Sequence, residues 1–309
     1  MKSKRKTLVR ILILFSVLSL AYVTRSSKDC DHHAKRTTFT TGFGRSGNDR
    51  ESTNWMCHRP VDKSLAEHII SHEPYPVNPC PLELQPMAWV GPIGAKRALC
   101  GLHNLDPELP LFSFGSNGNF DYEDAVRVKL PAINVYIFDP TLDESHAIRR
   151  PGELRTALNY AQKRGYHFVQ TGIAYRAGEL QMEDSKGQRL MGVHVDTLEA
   201  LMYLTAQERV GILKIDASGE FEIFAQLQKS RFNLRRRVGI LNLEVHMYHP
   251  QPRKGVANCC YGREDLDGLM DYLTSEGFVL VGYEGQVPYG CCAEFSFVNP
   301  SFFKSSRVE

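Results

Sequence analysis

Short apolar runs recur along the chain from about residue 82, and the segments between them carry apolar residues at helical spacing. Leu154, Ala157, Leu158 and Ala161 fall at positions i, i+3, i+4 and i+7, which is one face of a helix. Strands that alternate with such helices predict a mostly parallel sheet with helices on both faces. The predicted strands are Leu111–Gly115, Asn134–Asp139, Tyr166–Thr171, Val210–Asp216, Val238–His246, Phe278–Tyr283 and Ala293–Val298.

The last two predicted strands follow one another without a helix between them. Their connection runs from Glu284 to Cys292 and is too short for a helical crossover, so this pair should be antiparallel. The pattern therefore predicts a doubly wound α/β domain over residues 80–309, with a seven-stranded sheet in which one strand is antiparallel.

The N-terminus has the pattern of a targeting segment rather than of a folded element. Basic residues precede an apolar run from Ile11 to Val23, so residues 1–24 are interpreted as a signal anchor or a signal peptide. An uncleaved anchor would place the chain in the membrane as a single-pass protein, with its remainder in the lumen of the Golgi or ER. Cleavage at Ser19-Leu20-Ala21 would release a secreted protein instead. Residues 25–79 lack apolar periodicity and are interpreted as a poorly structured stem.

Composition and charge narrow the class of partner. Of the 309 residues, 42% are hydrophobic and 23% are charged, which is enough apolar content for a packed core. The formal net charge of +2 gives no reason to expect a nucleic-acid partner. The membrane, contacted through the N-terminal apolar segment, is the partner that the sequence favours.

Cysteine use is compatible with the secretory route. An even count of eight after a signal-like segment predicts disulfides, although buried free thiols are an alternative. No Cys-x-x-Cys pair occurs, and adjacent cysteines are poorly spaced to bind one metal ion, so we expect no metal site. The cysteines are Cys30, Cys57, Cys80, Cys100, Cys259, Cys260, Cys291 and Cys292.

A glycine turn follows the first predicted strand and an acid ends the second. The turn Gly115-Ser116-Asn117-Gly118 and Asp139 are typical of the way a doubly wound fold holds a nucleoside-bearing cofactor. The turn lacks both the Gly-x-Gly-x-x-Gly pattern of dinucleotide sites and the lysine of a P-loop. S-adenosylmethionine carries no phosphate, so a turn that permits close backbone approach without an anion cradle suits it better.

Read in order, seven segments resemble the FkbM-type methyltransferases, and especially the methyltransferase-like 24 group of membrane-anchored animal proteins. The resemblance covers about residues 80–300 and implies a class I, Rossmann-like methyltransferase fold that uses S-adenosylmethionine. The segments are Phe-Gly-Ser-Asn-Gly-Asn-Phe-Asp-Tyr-Glu-Asp-Ala (114–125), Tyr-Ile-Phe-Asp-Pro (136–140), Gln-Thr-Gly-Ile-Ala (170–174), Asp-Thr-Leu (196–198), Leu-Lys-Ile-Asp (213–216), Leu-Glu-Val-His (243–246) and Ala-Glu-Phe-Ser-Phe-Val-Asn (293–299).

The same resemblance implies roles for individual residues. Asp216, at the end of the fourth predicted strand, would face the methyl group and its acceptor. Cofactor contacts are implied for Gly115, Asn117 and Gly118 at the amino-acid end of S-adenosylmethionine, for Asp139 at its ribose, and for Ile173 and Ala174 beside its adenine.

Asp216 also has a structural interpretation, because it could cap a helix that starts near Glu220. The chain departs from the family here. Family members usually continue Ile-Asp-x-Glu-Gly-x-Glu, whereas this chain has Ser218 at the position of the first Glu. Glu220 restores the second acid if one residue is deleted.

Glu244 and His246 end the next predicted strand and point to the same face, since they are two residues apart. A carboxylate beside an imidazole could orient a general base. Alternatively, Glu244 pairs with a lysine or arginine and His246 packs at the rim.

Three functions therefore compete. The first is a methyltransferase of the secretory pathway that methylates oxygen on an unknown acceptor. The second is a non-catalytic binding module with the same fold. The third is a nucleotide-dependent transferase, although its Asp-Leu-Asp sequence at 265–267 lies in a predicted amphipathic helix rather than in a metal-binding loop.

Overall fold

The computed structural model describes residues 75–91, 96–140, 153–183, 189–217, 219–247, 261, 263–285 and 292–305. The N-terminal apolar run and most of the predicted stem lie outside these residues, so the anchor, the signal peptide and the cellular location stay predictions. Within the described ranges, no helix is both long and apolar enough to cross a membrane.

A seven-stranded sheet forms the centre of the domain. Its strands are β3 (Leu111–Phe114), β4 (Val135–Phe138), β5 (His167–Val169), β9 (Val210–Ile215), β10 (Val238–His246), β11 (Val279–Gly285) and β12 (Cys292–Val298). Their spatial order is β11-β12-β10-β9-β3-β4-β5. All neighbouring pairs are parallel except those of β12, which is antiparallel to β10 and to β11. The doubly wound sheet with one antiparallel strand is thus confirmed, and it is the class I methyltransferase arrangement.

Helices alternate with these strands, as the spacing of apolar residues predicts. Leu266, Leu269 and Leu273 are buried along one face of the helix before β11, where the sequence predicts an amphipathic helix. The helices of the described residues are α1 (Asp121–Lys129), α2 (Glu153–Arg164), α3 (Leu198–Leu204), α4 (Glu220–Lys229), α5 (Leu234–Arg237), α6 (Arg263–Ser275) and α7 (Pro300–Ser305), with short 3₁₀ turns at Leu82–Leu84 and Leu102–Asn104.

Two apolar layers cover the two faces of the sheet. Phe112 and Phe114 of β3 belong to one layer, and Leu111 belongs to the other. On β9, Leu213 belongs to the same layer as Phe112, and Ile212 belongs to the same layer as Leu111. Because successive strand residues face opposite sides, a strand that is buried on both faces reads as a continuous apolar run. Polar residues inside such runs are therefore conspicuous.

Two small sheets were not predicted from the sequence. One is a hairpin of β1 (Met87–Val90) and β2 (Arg97–Cys100). It packs onto the large sheet, and the Ala98 amide donates a hydrogen bond to Ser296 Oγ at 2.8 Å. The other contains β6 (Gly172–Ile173), β7 (Gly178–Glu183) and β8 (Arg189–Asp196). The predicted strand 166–171 is observed as the shorter β5, and β6 begins soon after β5 ends.

A disulfide joins Cys80 to Cys100, so disulfides occur as predicted, although the sequence did not predict which cysteines pair. Cys292 is also disulfide-bonded. The other cysteines lie outside the described residues. The Cys80–Cys100 bridge ties the segment before the hairpin to the end of β2, and a loop of this size typically stabilises a fold by about 3 kcal/mol.

The end of the predicted stem is held against the domain. The Tyr75 hydroxyl donates a hydrogen bond to Asp267 on α6. The Asn78 amide donates one to the carbonyl of Leu280 on β11 at 2.9 Å. Ordered contacts to the domain therefore begin before residue 80.

Candidate active site

The glycine turn lies at the carboxyl end of β3. Gly115 has a φ of +76°, and a Cβ at this position would lie 1.8 Å from the carbonyl oxygen of Asp216. The group that lies close to Gly115 is therefore the backbone that follows β9. Asn117 (φ +48°) and Gly118 (φ +75°) complete a turn with left-handed backbone.

Asp139 follows β4, and its carboxylate fixes this turn through hydrogen bonds. Its Oδ2 atom accepts three hydrogen bonds, from the Ser116 amide at 3.0 Å, the Ser116 hydroxyl at 2.9 Å and the Asn117 amide at 2.7 Å. The residue is 1% exposed. The implied contact with a ribose therefore involves a carboxylate that the protein already uses to fix the shape of the turn.

Ile173 and Ala174 lie beyond the end of β5, on the same edge of the sheet. Both are buried, and Ile173 packs in the same apolar layer as Phe138. The Ala174 amide donates a hydrogen bond to the carbonyl of Asp196 at 2.9 Å. The small sheet thus fixes the backbone at the two positions implied to lie beside adenine.

Asp216 follows β9 and lies between two cations. Its Oδ2 atom is 3.3 Å from Arg97 Nη2 and 3.3 Å from Lys214 Nζ. Burial raises the pKa of Asp216, but Lys214, a hydrogen bond with Glu244, and Arg97 outweigh it and lower the pKa to about 2. The alternative in which Asp216 caps the following helix is wrong, because the N-cap of α4 is Gly219.

Glu244 neighbours Asp216 on the adjacent strand, since β9 and β10 are paired up to Ile215 and Leu243. Burial, followed by the negative charge of Asp216, raises the pKa of Glu244 to about 9. At neutral pH Glu244 therefore holds a proton and Asp216 carries the charge. An arginine is close, as one alternative expected, but Arg97 Nη2 is 3.7 Å from the carboxyl oxygen and does not keep Glu244 ionised.

His246 ends β10 between two acids. Its backbone amide donates a hydrogen bond to Glu220 Oε1, and its ring Nδ1 lies 3.5 Å from the same oxygen. Its Nε2 lies 3.7 Å from Glu244 Oε1. Burial lowers the pKa of His246, but the charge of Glu220 and its hydrogen bond outweigh it and raise the pKa to about 10. The imidazole is therefore cationic at neutral pH.

The contacts join seven residues into a charged cluster: Arg97, Lys214, Asp216, Glu220, Glu244, His246 and Glu294. Sequence reasoning missed three of them, all buried. Arg97, on β2, is 3% exposed and contacts Glu294 of β12 at 2.5 Å. Burial raises the pKa of Glu294 to about 7, although Arg97 opposes the shift. Lys214 Nζ also donates a hydrogen bond to the Gly115 carbonyl at 3.0 Å. A charge inside an apolar run marks Lys214 and Glu294 in the sequence, whereas nothing there marks Arg97.

One group of possible metal ligands occurs among the described residues. It consists of Glu244, His246 and Cys292, whose ligand atoms all lie within 4.8 Å of one another. The sulfur of Cys292 is part of a disulfide and is not a thiolate. Besides that sulfur, the group offers a metal ion one carboxyl and one imidazole. Ser218, the position that departs from the family pattern, lies outside the described residues.

The chain is similar to several solved methyltransferase structures. It aligns with the methyltransferase FkbM from Methylobacillus flagellatus at 11% identity and a TM-score of 0.39, covering 61% of this chain and 44% of that one. It aligns with the fibrillarin pre-rRNA processing protein of Methanococcus jannaschii at 12% identity and a TM-score of 0.35, covering 62% of this chain and 67% of that one. It aligns with the precorrin-6y C5,15-methyltransferase of Geobacter metallireducens at 11% identity and a TM-score of 0.33, covering 64% of this chain and 84% of that one.

This chain thus spans less than half of the FkbM structure's length. No family model matches the chain, and no curated protein matches its sequence. Similarity at this level adds nothing to the strand order, which by itself establishes the class I methyltransferase fold.

Proposed function

We propose that this protein is an S-adenosylmethionine-dependent methyltransferase that methylates oxygen. The observation that supports it is the place where the charged cluster and the glycine turn meet. Chain order reverses between β3 and β9, and ligands of doubly wound folds bind at such a switch point, outside the carboxyl ends of the strands. Gly115, Asp216 and His246 all lie at this edge, on three neighbouring strands.

The residues at the edge suit a cofactor without phosphate. The turn at 115–118 would hold the amino-acid end, Asp139 the ribose, and Ile173 with Ala174 the adenine. Bound S-adenosylmethionine supplies a methyl group on an activated sulfonium, so the protein's main task is to bring the acceptor into line with it. Asp216 and His246 are the most exposed residues of the cluster, with side chains 29% and 26% exposed. They would contact the acceptor.

Wider assignments form part of this proposal. Membership of the FkbM-type family and of its methyltransferase-like 24 group rests on the ordered segments. A lumenal location, in a membrane-anchored or secreted protein, rests on the N-terminal pattern and is supported by the disulfide between Cys80 and Cys100.

A non-catalytic binding module is the second candidate, and the position of Asp139 favours it. Its Oδ2 atom accepts three hydrogen bonds from the turn, and the residue is 1% exposed, so Asp139 has a structural role that needs no ligand. A non-catalytic binding module would need these hydrogen bonds to the turn but not the contact with a ribose.

The nucleotide-dependent transferase has less support. Asp265 is buried within α6. Asp267 accepts a hydrogen bond from Arg263 at 2.8 Å and another from Tyr75. Two acids held in a helix in this way do not form a metal-binding loop.

Calorimetry on the purified full-length chain tests all three functions. We expect S-adenosylmethionine to bind and a sugar nucleotide not to bind. Incubation with methyl-labelled S-adenosylmethionine and cell extracts should then transfer label to a component of the extract. Binding without transfer would establish the non-catalytic module. Binding of the sugar nucleotide alone would support the third function and refute the first.

A further inference from the structure

We propose that Lys214 is a positioning residue for methyl transfer, which holds the Asp216 carboxylate in a fixed place relative to the turn at 115–118. This inference rests on the proposed methyltransferase function, and it names the residue that keeps the acceptor aligned with the methyl group.

Lys214 is the only charged residue of β9, a strand that is buried along its whole length. Its side chain is 4% exposed. A buried ammonium loses its water, and replacing a buried ion pair by apolar side chains of similar volume is often neutral or stabilising. The stability of the strand therefore does not account for a lysine at this position, and the explanation lies in the atoms that its ammonium contacts.

Polar side chains lie beside Lys214 on both neighbouring strands. Ser113 of β3 and Asn242 of β10 are its partners in strand pairing. Ser113 donates a hydrogen bond to Glu123. Asn242 accepts one from the Tyr122 hydroxyl at 2.6 Å. These two neutral residues are thus bonded to the first turn of α1, whereas the ammonium of Lys214 contacts two oxygens at the carboxyl edge of the sheet.

The two oxygens belong to the two sides of the proposed reaction. Lys214 Nζ donates a hydrogen bond to the Gly115 carbonyl at 3.0 Å and lies 3.3 Å from Asp216 Oδ2. Gly115 belongs to the turn that would hold the cofactor, and Asp216 would contact the acceptor. An ammonium has three N–H donors, so it can serve both oxygens at once. Lys214 therefore joins the cofactor side to the acceptor side through a single atom.

Other contacts fix the turn itself. Asp139 Oδ2 accepts three hydrogen bonds from residues 116 and 117. The Gly115 amide donates one to the Phe138 carbonyl at 3.1 Å. The turn therefore keeps its shape without Lys214.

The side chain of Asp216 depends more on Lys214. Its backbone amide donates a hydrogen bond to the Phe114 carbonyl at 3.1 Å, so the backbone position follows from the pairing of β3 with β9. The side chain is 29% exposed, and Lys214 and Arg97 each lie 3.3 Å from its Oδ2 atom. Without Lys214, the carboxylate keeps its contact with Arg97 but loses its link to the turn.

This link matters because methyl transfer is an in-line displacement. The acceptor oxygen, the methyl carbon and the sulfur must lie in line, and a displacement of about 1 Å can lower the rate about 10²-fold. Lys214 acts through Asp216 and the turn, and it touches neither reactant. Its loss should therefore lower the rate at saturating S-adenosylmethionine and leave the affinity for the cofactor unchanged.

Lys214→Met tests this role, because methionine has a similar length and no charge. With saturating methyl-labelled S-adenosylmethionine and a cell extract as the source of acceptor, the rate of label transfer should fall roughly 10–100-fold. The dissociation constant of S-adenosylmethionine, measured by calorimetry, should not change, whereas Asp139→Ala should raise it. Lys214→Arg keeps the cation and its donors and should recover part of the rate.

Two control variants separate this role from a loss of stability. Ile212→Val, at a buried position on the same face of β9, should lower the midpoint of urea unfolding without lowering the rate. Lys229→Met, at an exposed position on α4, makes the same substitution and should change neither. If Lys214→Met does not fold, Lys214→Gln takes its place, since a shorter, uncharged side chain cannot hold both oxygens.

The outcomes separate this inference from the proposed function. A full rate in the folded variant would overturn the role of Lys214 and leave the methyltransferase proposal standing. A loss of cofactor affinity as large as the loss of rate would also overturn it, because Lys214 would then act on the cofactor turn alone. No transfer by the unmodified protein would overturn both.

Discussion

Replacement of Arg97 by Met should make the stability of this protein depend strongly on pH. Arg97 is buried on β2 and contacts Asp216 at 3.3 Å and Glu294 at 2.5 Å. Removing one partner of a buried ion pair typically costs about 3–5 kcal/mol, because the remaining charge stays buried and unpaired. Arg97→Met avoids part of that cost when Glu294 takes up a proton.

The magnitude follows from the proton that Glu294 binds. Burial raises its pKa to about 7 in the presence of Arg97 and should raise it further without the cation. A carboxyl whose pKa is higher in the folded than in the unfolded chain loses stability as pH rises between the two values. The unmodified protein completes this loss near pH 7, whereas the variant continues to lose about 1.4 kcal/mol per pH unit above it. Between pH 7 and 9 the variant should therefore lose about 3 kcal/mol more than the unmodified protein.

Urea unfolding of the full-length chain at several pH values between about 6 and 9 measures this difference. Arg97→Lys keeps the cation and should show a much weaker pH dependence than Arg97→Met. Arg236→Met, at an exposed position on α5, is the matched control and should leave the free energy of unfolding within about 0.5 kcal/mol. A cost of Arg97→Met that is the same at every pH would refute the raised pKa of Glu294.

Four further variants and one analytical measurement test the turn, the cluster and the disulfide. Gly115→Ala should destabilise the fold by several kcal/mol in urea unfolding, since its Cβ would lie 1.8 Å from a backbone oxygen, whereas Gly165→Ala has the same sign of φ, meets nothing within 4 Å and should cost only about 1–2 kcal/mol. Asp139→Ala should weaken S-adenosylmethionine binding by about 1.5–3 kcal/mol, and calorimetry that finds unchanged affinity in a folded variant would remove this residue from the cofactor site. Asp216→Asn should lower turnover less than ten-fold, because a carboxylate with a pKa of about 2 is a weak base, and a loss of 10²–10⁴-fold would restore it as the general base. Mass spectrometry without reduction should find Cys80–Cys100 peptides linked, and alkylation of both thiols would contradict the bridge.

The sequence by itself determined the layers of this fold and the edge at which its chemistry lies. Continuous apolar runs separated by helical spacing specify a parallel sheet that is buried on both faces. The short link after residue 284 predicts the antiparallel pair of β11 and β12, which is confirmed. Because parallel strands end at one edge, the residues that follow Ile215 on β9 and Leu243 on β10 are brought together.

The tertiary structure alone decided the charge that each of these residues carries. Arg97 is 119 positions from Asp216 in the chain, and it reaches the cluster only because the β1–β2 hairpin folds onto the large sheet. The pKa of a buried group depends on the distance to each neighbouring charge and on its loss of water, and neither can be read along a sequence. For this reason the sequence could propose Glu244 and His246 as an acid beside a base, whereas packing makes one a protonated acid and the other a cation.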